Sequence, residues 1–150
     1  MTNDQDIKYL KMAIANSQRS FEAGRFPAGA IVVRDDKVIT SEINPAEPKL
    51  LHADSNAIVK AFKEVGNLNG ATLYIGLESC LMCIGVAYWS GLRRIVYAIP
   101  KSKVSGDYYE THAPTQALID GFNDQIERIH VPELEDEALQ IVRAWEKKYL

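Results

Sequence analysis

The chain has 150 residues, 47% of them hydrophobic and 25% charged, a balance that suits one globular domain over 1–150 and excludes a disordered or fibrous protein. Acidic residues outnumber basic ones by 20 to 17, for a formal net charge of −3. A protein built to hold a polynucleotide carries a basic stripe, so a small-molecule partner is favoured and nucleic acid is the less favoured one. The chain has no apolar run of membrane-spanning length. Its start, MTNDQDIKYL, lacks the basic and apolar regions of a signal peptide. A cytoplasmic location with no membrane partner is therefore expected.

Thr2 with Gln5 reads as a capping box, followed by Tyr9, Leu10, Ala13, Ile14 and Ser17 at helical spacing. The first helix is expected from Asp4 to Ala23, with Gly24 beyond its end. Ala28–Arg34 is apolar and β-branched, Asp35-Asp36 turns the chain, and Lys37–Ser41 returns as the second strand of a hairpin. Residues 44–51 hold two prolines and read as a loop.

A second helix is expected over His52–Val65 and a central strand, apolar throughout, over Thr72–Leu77. Cys80–Ser90 reads as a helix capped by Gly91, and Arg94–Ile99 as a fourth strand. Residues 101–114 read as a loop, Thr115–Gly121 as a short helix and Ile126–Val131 as a fifth strand. The last helix is expected over Glu133–Tyr149, with Leu134, Ala138, Ile141, Val142 and Trp145 on its buried side. The order α-β-β-α-β-α-β-α-β-α implies an α/β class: a three-layer α/β/α sandwich around one five-stranded sheet.

The two cysteines, Cys80 and Cys83, lie at i and i+3 on the first turn of a helix that follows a strand. In a cytosolic chain such a pair reads as metal-binding or redox rather than as a disulfide. The positive end of a helix lowers thiol pKa, which favours the thiolate that metals bind. His52 opens another helix, and one imidazole with two thiolates makes three ligands. Zinc prefers four, and the vacant position suits a water, the pattern of a catalytic rather than a structural zinc.

His52-Ala53-Asp54 followed by Glu78-Ser79-Cys80-Leu81-Met82-Cys83 resembles the zinc signature of the nucleobase deaminases. Pro27-Ala28-Gly29-Ala30 and Thr72-Leu73-Tyr74 are similar to the purine-acting branch. Gly85-Val86-Ala87-Tyr88-Trp89 and the tail around Trp145 and Tyr149 resemble guanine deaminase. The resemblance implies a cytidine deaminase-like fold with a mixed sheet, a Zn2+ cofactor on His52, Cys80 and Cys83, and a homodimer. It also implies hydrolytic deamination, in which Asp54 passes a proton from water to a ring nitrogen and the departing ammonia.

Two positions depart from the family pattern. Asp54 stands where the family has glutamate, roughly 1.5 Å shorter in reach. Ser79 stands where the family has proline. By resemblance, Asn44, the Ala53 N–H and the backbone at Ser79 contact the substrate. Phe26 and Trp89 are candidates to wall the base, with core packing the competing role for Trp89. Asp107 is a candidate second carboxylate, against an ordinary loop acid. Tyr149 is a candidate to close the pocket, against simple packing.

A free base or nucleoside is the expected substrate, with guanine or a related aminopurine or triazine first. Two rivals stand beside it. One is a tRNA adenosine deaminase. The other is a zinc-binding relative that has lost catalysis, motivated by Asp54. Glu78 reads as structural, and His112 and His130 as ordinary histidines.

Overall fold

The computed structural model describes residues 3–46 and 50–150. The first helix, α1 (Asp4–Glu22), starts one residue away from the expected cap. Asn3 is the N-cap, and its side chain and that of Asp6 bond each other's backbone N–H. Thr2 lies outside the described residues, as do 47–49 of the expected 44–51 loop. The chain continues through β1 (Gly29–Arg34), β2 (Lys37–Ile43), α2 (Ala53–Val65), β3 (Thr72–Leu77), α3 (Leu81–Ser90) and β4 (Arg94–Ile99). It ends with α4 (Gln116–Asp120), β5 (Glu127–His130) and α5 (Glu135–Tyr149), the last entered through a 3-10 turn at Pro132–Leu134.

The five strands lie in the order β2-β1-β3-β4-β5. β1 pairs antiparallel with both β2 and β3, whereas β3–β4 and β4–β5 are parallel. The sheet is therefore mixed. The β1–β2 turn needs no glycine because Asp35 and Asp36 themselves take φ of 54° and 57°, both left-handed, as a two-residue hairpin requires. The Tyr9 hydroxyl donates to Asp36 and holds that turn against α1.

Side chains alternate across the sheet and fill two cores. Ala30, Val32, Leu73, Ile75 and Ile95 face α2 and α3. Ile31, Val33, Tyr74, Val96 and Ala98 face α1 and α5. This is the three-layer sandwich expected. Gly29 lets α1 approach the sheet, since a Cβ there would lie 2.4 Å from Ala13 O and from Asn16 Cβ. Across the same interface, Arg94 of β4 grips Asp6 of α1 through Nη1–Oδ1 at 2.8 Å and Nη2–Oδ2 at 2.7 Å. Among the described residues no helix is long and apolar enough to cross a membrane.

The topology fixes where a site can form. β2 and β3 are both antiparallel to β1, so they run in the same direction, and β4 runs with them. The segments that follow these three strands all leave from one edge of the sheet. That edge receives the start of α2, the start of α3 and the loop 101–114. Ligands of α/β sheets bind at the carboxyl ends of the strands for this reason.

Candidate active site

His52 is the N-cap of α2 and Cys80 the N-cap of α3. The His52 N–H donates to Ser55 Oγ at 2.9 Å, which sets the histidine at the head of the helix. Gly91, at φ 92°, closes the far end of α3 with its N–H on the carbonyls of Ala87 and Tyr88.

His52 Nδ1 lies 3.4 Å from Cys80 Sγ and 3.5 Å from Cys83 Sγ, and the two sulfurs are 3.6 Å apart. A tetrahedral ion with Zn–S near 2.3 Å and Zn–N near 2.05 Å has edges of about 3.5–3.8 Å. The three donors therefore already span one face of that tetrahedron. The sulfurs are far beyond the roughly 2.05 Å of a disulfide, and both cysteines are free. His52, Cys80 and Cys83 are positioned to bind a metal ion.

The two thiols are shifted in opposite directions. Its contact with Cys83 holds the Cys80 thiol below its ordinary value; burial opposes this and the His52 imidazole supports it. Cys83 is pushed up, first by its hydrogen bond with Cys80 and then by burial. His52 is raised by its hydrogen bond with Cys80, against its burial.

Asp54 sits in the first turn of α2, 4% exposed, with Oδ1 2.9 Å from Cys83 Sγ. It borders a cavity of about 710 Å³ together with His52 and Cys80. That volume falls within the range of small-molecule sites. Asn44, Phe26, Ser79 and Asp107 border it as well. Asn44 Oδ1 accepts the Ala53 N–H at 3.2 Å, so these two expected substrate contacts meet each other in this structure. Asp107 lies at the rim, paired with His112 at 3.0 Å.

Trp89 is not brought to the site. It is 83% exposed on α3, away from the cavity wall and from the core, with Tyr88 edge-on to its ring. The aromatic wall comes from elsewhere. Trp145 of α5 meets Phe26 with ring centres 4.9 Å apart, Tyr108 meets Phe26 at 5.1 Å, and Tyr149 lies beside Trp145 at 5.8 Å. All four rings border the cavity. Trp145 therefore leaves the core position expected of it.

The loop 101–114 supplies supports that the sequence did not single out. Tyr109 donates its hydroxyl to Glu78 O at 2.7 Å, and burial pushes that hydroxyl's pKa up, so it stays a donor. Glu110 accepts the N–H of Leu81 at 3.1 Å and of Met82 at 3.0 Å, capping the metal-ligating turn. Burial raises its pKa, but the N–H donors of Met82, Glu110 itself and Leu81 outweigh this and hold the carboxyl below its ordinary value. Glu78 is fixed by Arg128 Nη1 at 3.0 Å and the Lys101 N–H at 2.9 Å, as a structural residue would be. His130 stacks on Tyr97 and bonds Glu135, remote from the metal ligands in role.

Known proteins agree with this geometry. The sequence profile of the cytidine and deoxycytidylate deaminase zinc-binding region matches residues 3–99. A probable cytosine deaminase of Schizosaccharomyces pombe is 31% identical over 146 residues, covering 91% of this chain and 90% of that protein. A tRNA-specific adenosine deaminase of Bacillus subtilis is 36% identical over 109 residues, 68% of each chain. The solved guanine deaminase of Nitrosomonas europaea superposes with a TM-score of 0.77 at 19% identity, over 93% of this chain and 83% of that one, a likeness of fold. With that match over residues 3–99 and His52, Cys80 and Cys83 positioned to bind a metal ion, this chain belongs to the cytidine and deoxycytidylate deaminase family, hydrolases of C–N bonds.

Proposed function

We propose that the chain hydrolyses the exocyclic amine of a free nucleobase or nucleoside, with guanine or a related aminopurine or triazine as its substrate. One observation carries this reading. Asp54, His52 and Cys80 border one cavity, part of whose wall is aromatic, and Cys83 lies directly behind Asp54. Zinc bound there supplies a Lewis acid and makes a water acidic near neutral pH. Asp54 takes one proton from the attacking water on its carboxylate oxygen and gives it to the ring nitrogen as the C–O bond forms; it then takes the second proton from the adduct hydroxyl and gives it to the amine, so that the C–N bond breaks, ammonia leaves and the carbonyl forms. Phe26, Tyr108, Trp145 and Tyr149 form one contiguous aromatic wall against which a flat ring packs, keeping bulk water from the reacting end. Trp145 and Tyr149 belong to the tail that resembles guanine deaminase, which supports a purine.

A pyrimidine substrate is the second reading, favoured by the 31% identity to the S. pombe protein over nearly its whole length. A cytoplasmic homodimer belongs to the same proposal. Phe62 and Val65 on α2 and Trp89 on α3 are exposed apolar side chains that a second copy would cover, and light scattering tests this.

The decisive assay is ammonia release by the zinc-loaded protein from guanine, 2,6-diaminopurine, an aminotriazine, adenosine, cytosine, cytidine and tRNA. The aminopurines or triazine are expected to turn over fastest. Cytosine as the best substrate selects the second reading, and tRNA as the best selects the adenosine rival. No ammonia from any of them overturns the deaminase reading.

A further inference from the structure

Among the described residues, two buried side-chain polar atoms have no hydrogen-bond partner, Ser79 Oγ and Arg128 Nε. They differ in setting. The Arg128 guanidinium uses its other nitrogens on Glu78 and Gln116 and does not border the cavity. Ser79 is 5% exposed and borders the cavity, one residue before the ligand Cys80. Adjacent Cα atoms are about 3.8 Å apart, which puts Ser79 at the metal end of the cavity rather than at its aromatic mouth.

A buried hydroxyl with one donor and two acceptor lone pairs is costly when unpaired. Nothing in the fold recovers that cost, whereas a ligand entering the cavity does so when it offers a polar atom to the hydroxyl. The hydroxyl is suited to a ring edge that carries both N–H and lone-pair groups, because it rotates to serve either.

Resting on the deaminase reading above, we propose that the Ser79 hydroxyl is a specificity-determining contact, hydrogen-bonded to the polar edge of the substrate that carries the scissile amine. Its absence penalises a substrate with heteroatoms on that edge.

The test compares wild type, Ser79→Ala and Ser79→Thr, all zinc-loaded, by calorimetric binding of guanine, 2,6-diaminopurine, adenosine and cytosine, by ammonia release, and by Tm. Ser79→Ala is expected to weaken binding and kcat/KM for the preferred base by about 5- to 150-fold. Its Tm stays level or rises, since the hydroxyl bonds nothing in the fold. Ser79→Thr, which keeps the hydroxyl, recovers most of the loss. Equal affinity and turnover of Ser79→Ala overturns the contact while leaving the deaminase reading intact. A marked fall in Tm for Ser79→Ala makes the hydroxyl structural and overturns the contact as well. A wild type that binds and converts none of the bases overturns both.

Discussion

Asp54 Oδ1 lies 2.9 Å from Cys83 Sγ, so the carboxylate assigned to proton transfer touches a metal ligand directly. The start of α2 thereby places the shorter acid beside the ligand set. Asp54→Ala is expected to lower kcat by about 10²- to 10⁴-fold while zinc content stays near one per chain. Asp54→Glu keeps the acid and stays active. Wild-type turnover by Asp54→Ala would remove Asp54 from the chemistry. A folded, zinc-loaded protein silent in all three forms would favour the binding-module rival.

Zinc uptake should release protons. The Cys80 thiol is held below its ordinary value and the Cys83 thiol above it, so binding of both as thiolates displaces at least the Cys83 proton near neutral pH. The affinity for zinc is expected to fall as pH drops from 8 to 6, and the calorimetric heat to depend on the ionisation enthalpy of the buffer. A chelator lowers Tm, and His52→Ala abolishes the zinc-dependent rise. At a hundredfold excess of zinc over Kd the stabilisation is about 2.7 kcal/mol. Zinc affinity flat across that pH range contradicts the thiol assignment.

Acid stability should depend on Asp6. Burial raises its carboxyl, but Arg94 and the Tyr74 hydroxyl, with the Asn3 N–H, outweigh this and hold it below its ordinary value. A lowered carboxylate stabilises the fold above the unfolded pKa of about 3.9, and that contribution is lost as pH falls through the folded value. Asp6→Asn is expected to cost about 3 kcal/mol at neutral pH, the low end for breaking a buried pair, because Arg94 keeps Glu127 at 3.3 Å. Urea midpoints measured from pH 7 to pH 2.5 should converge for the two proteins at the acid end. Parallel curves argue against the pair.

Trp145→Ala should separate binding from chemistry. Trp145 walls the cavity but lies against Phe26, Tyr108 and Tyr149 rather than the metal ligands. KM is expected to rise several-fold with kcat nearly unchanged. A fall in kcat alone would contradict the placement.

The cysteine pair was legible because its geometry is local, whereas His52 meets it across 28 residues and was found by the signature it shares with the deaminases. Cys80 and Cys83 share one helical turn, and the strand before them fixes which edge that turn occupies. Alternation along β1 and β3 likewise shows how they pack. Trp89 was misread because α3, LMCIGVAYWS, is apolar nearly all round, and a uniform helix gives no sign of which face it buries. Trp145 continues the buried stripe of α5 in sequence, yet that stripe runs past the sheet onto the cavity rim. Glu110 and Arg128 act across 28 and 50 residues, on Met82 and Glu78 respectively, and no periodicity encodes such partners.

Glu110 has one more consequence. First-turn amides of a helix lack intrahelical acceptors, and those of Leu81 and Met82 find theirs on the segment 101–114, which holds 3-10 turns at Lys101–Lys103 and Gly106–Tyr108. Their exchange with deuterium is therefore clocked by the opening of residues 101–114 rather than by unwinding of α3. The segment that carries cavity-lining Tyr108 and Tyr109 is thus tied through Glu110 to the turn that bears Cys80 and Cys83.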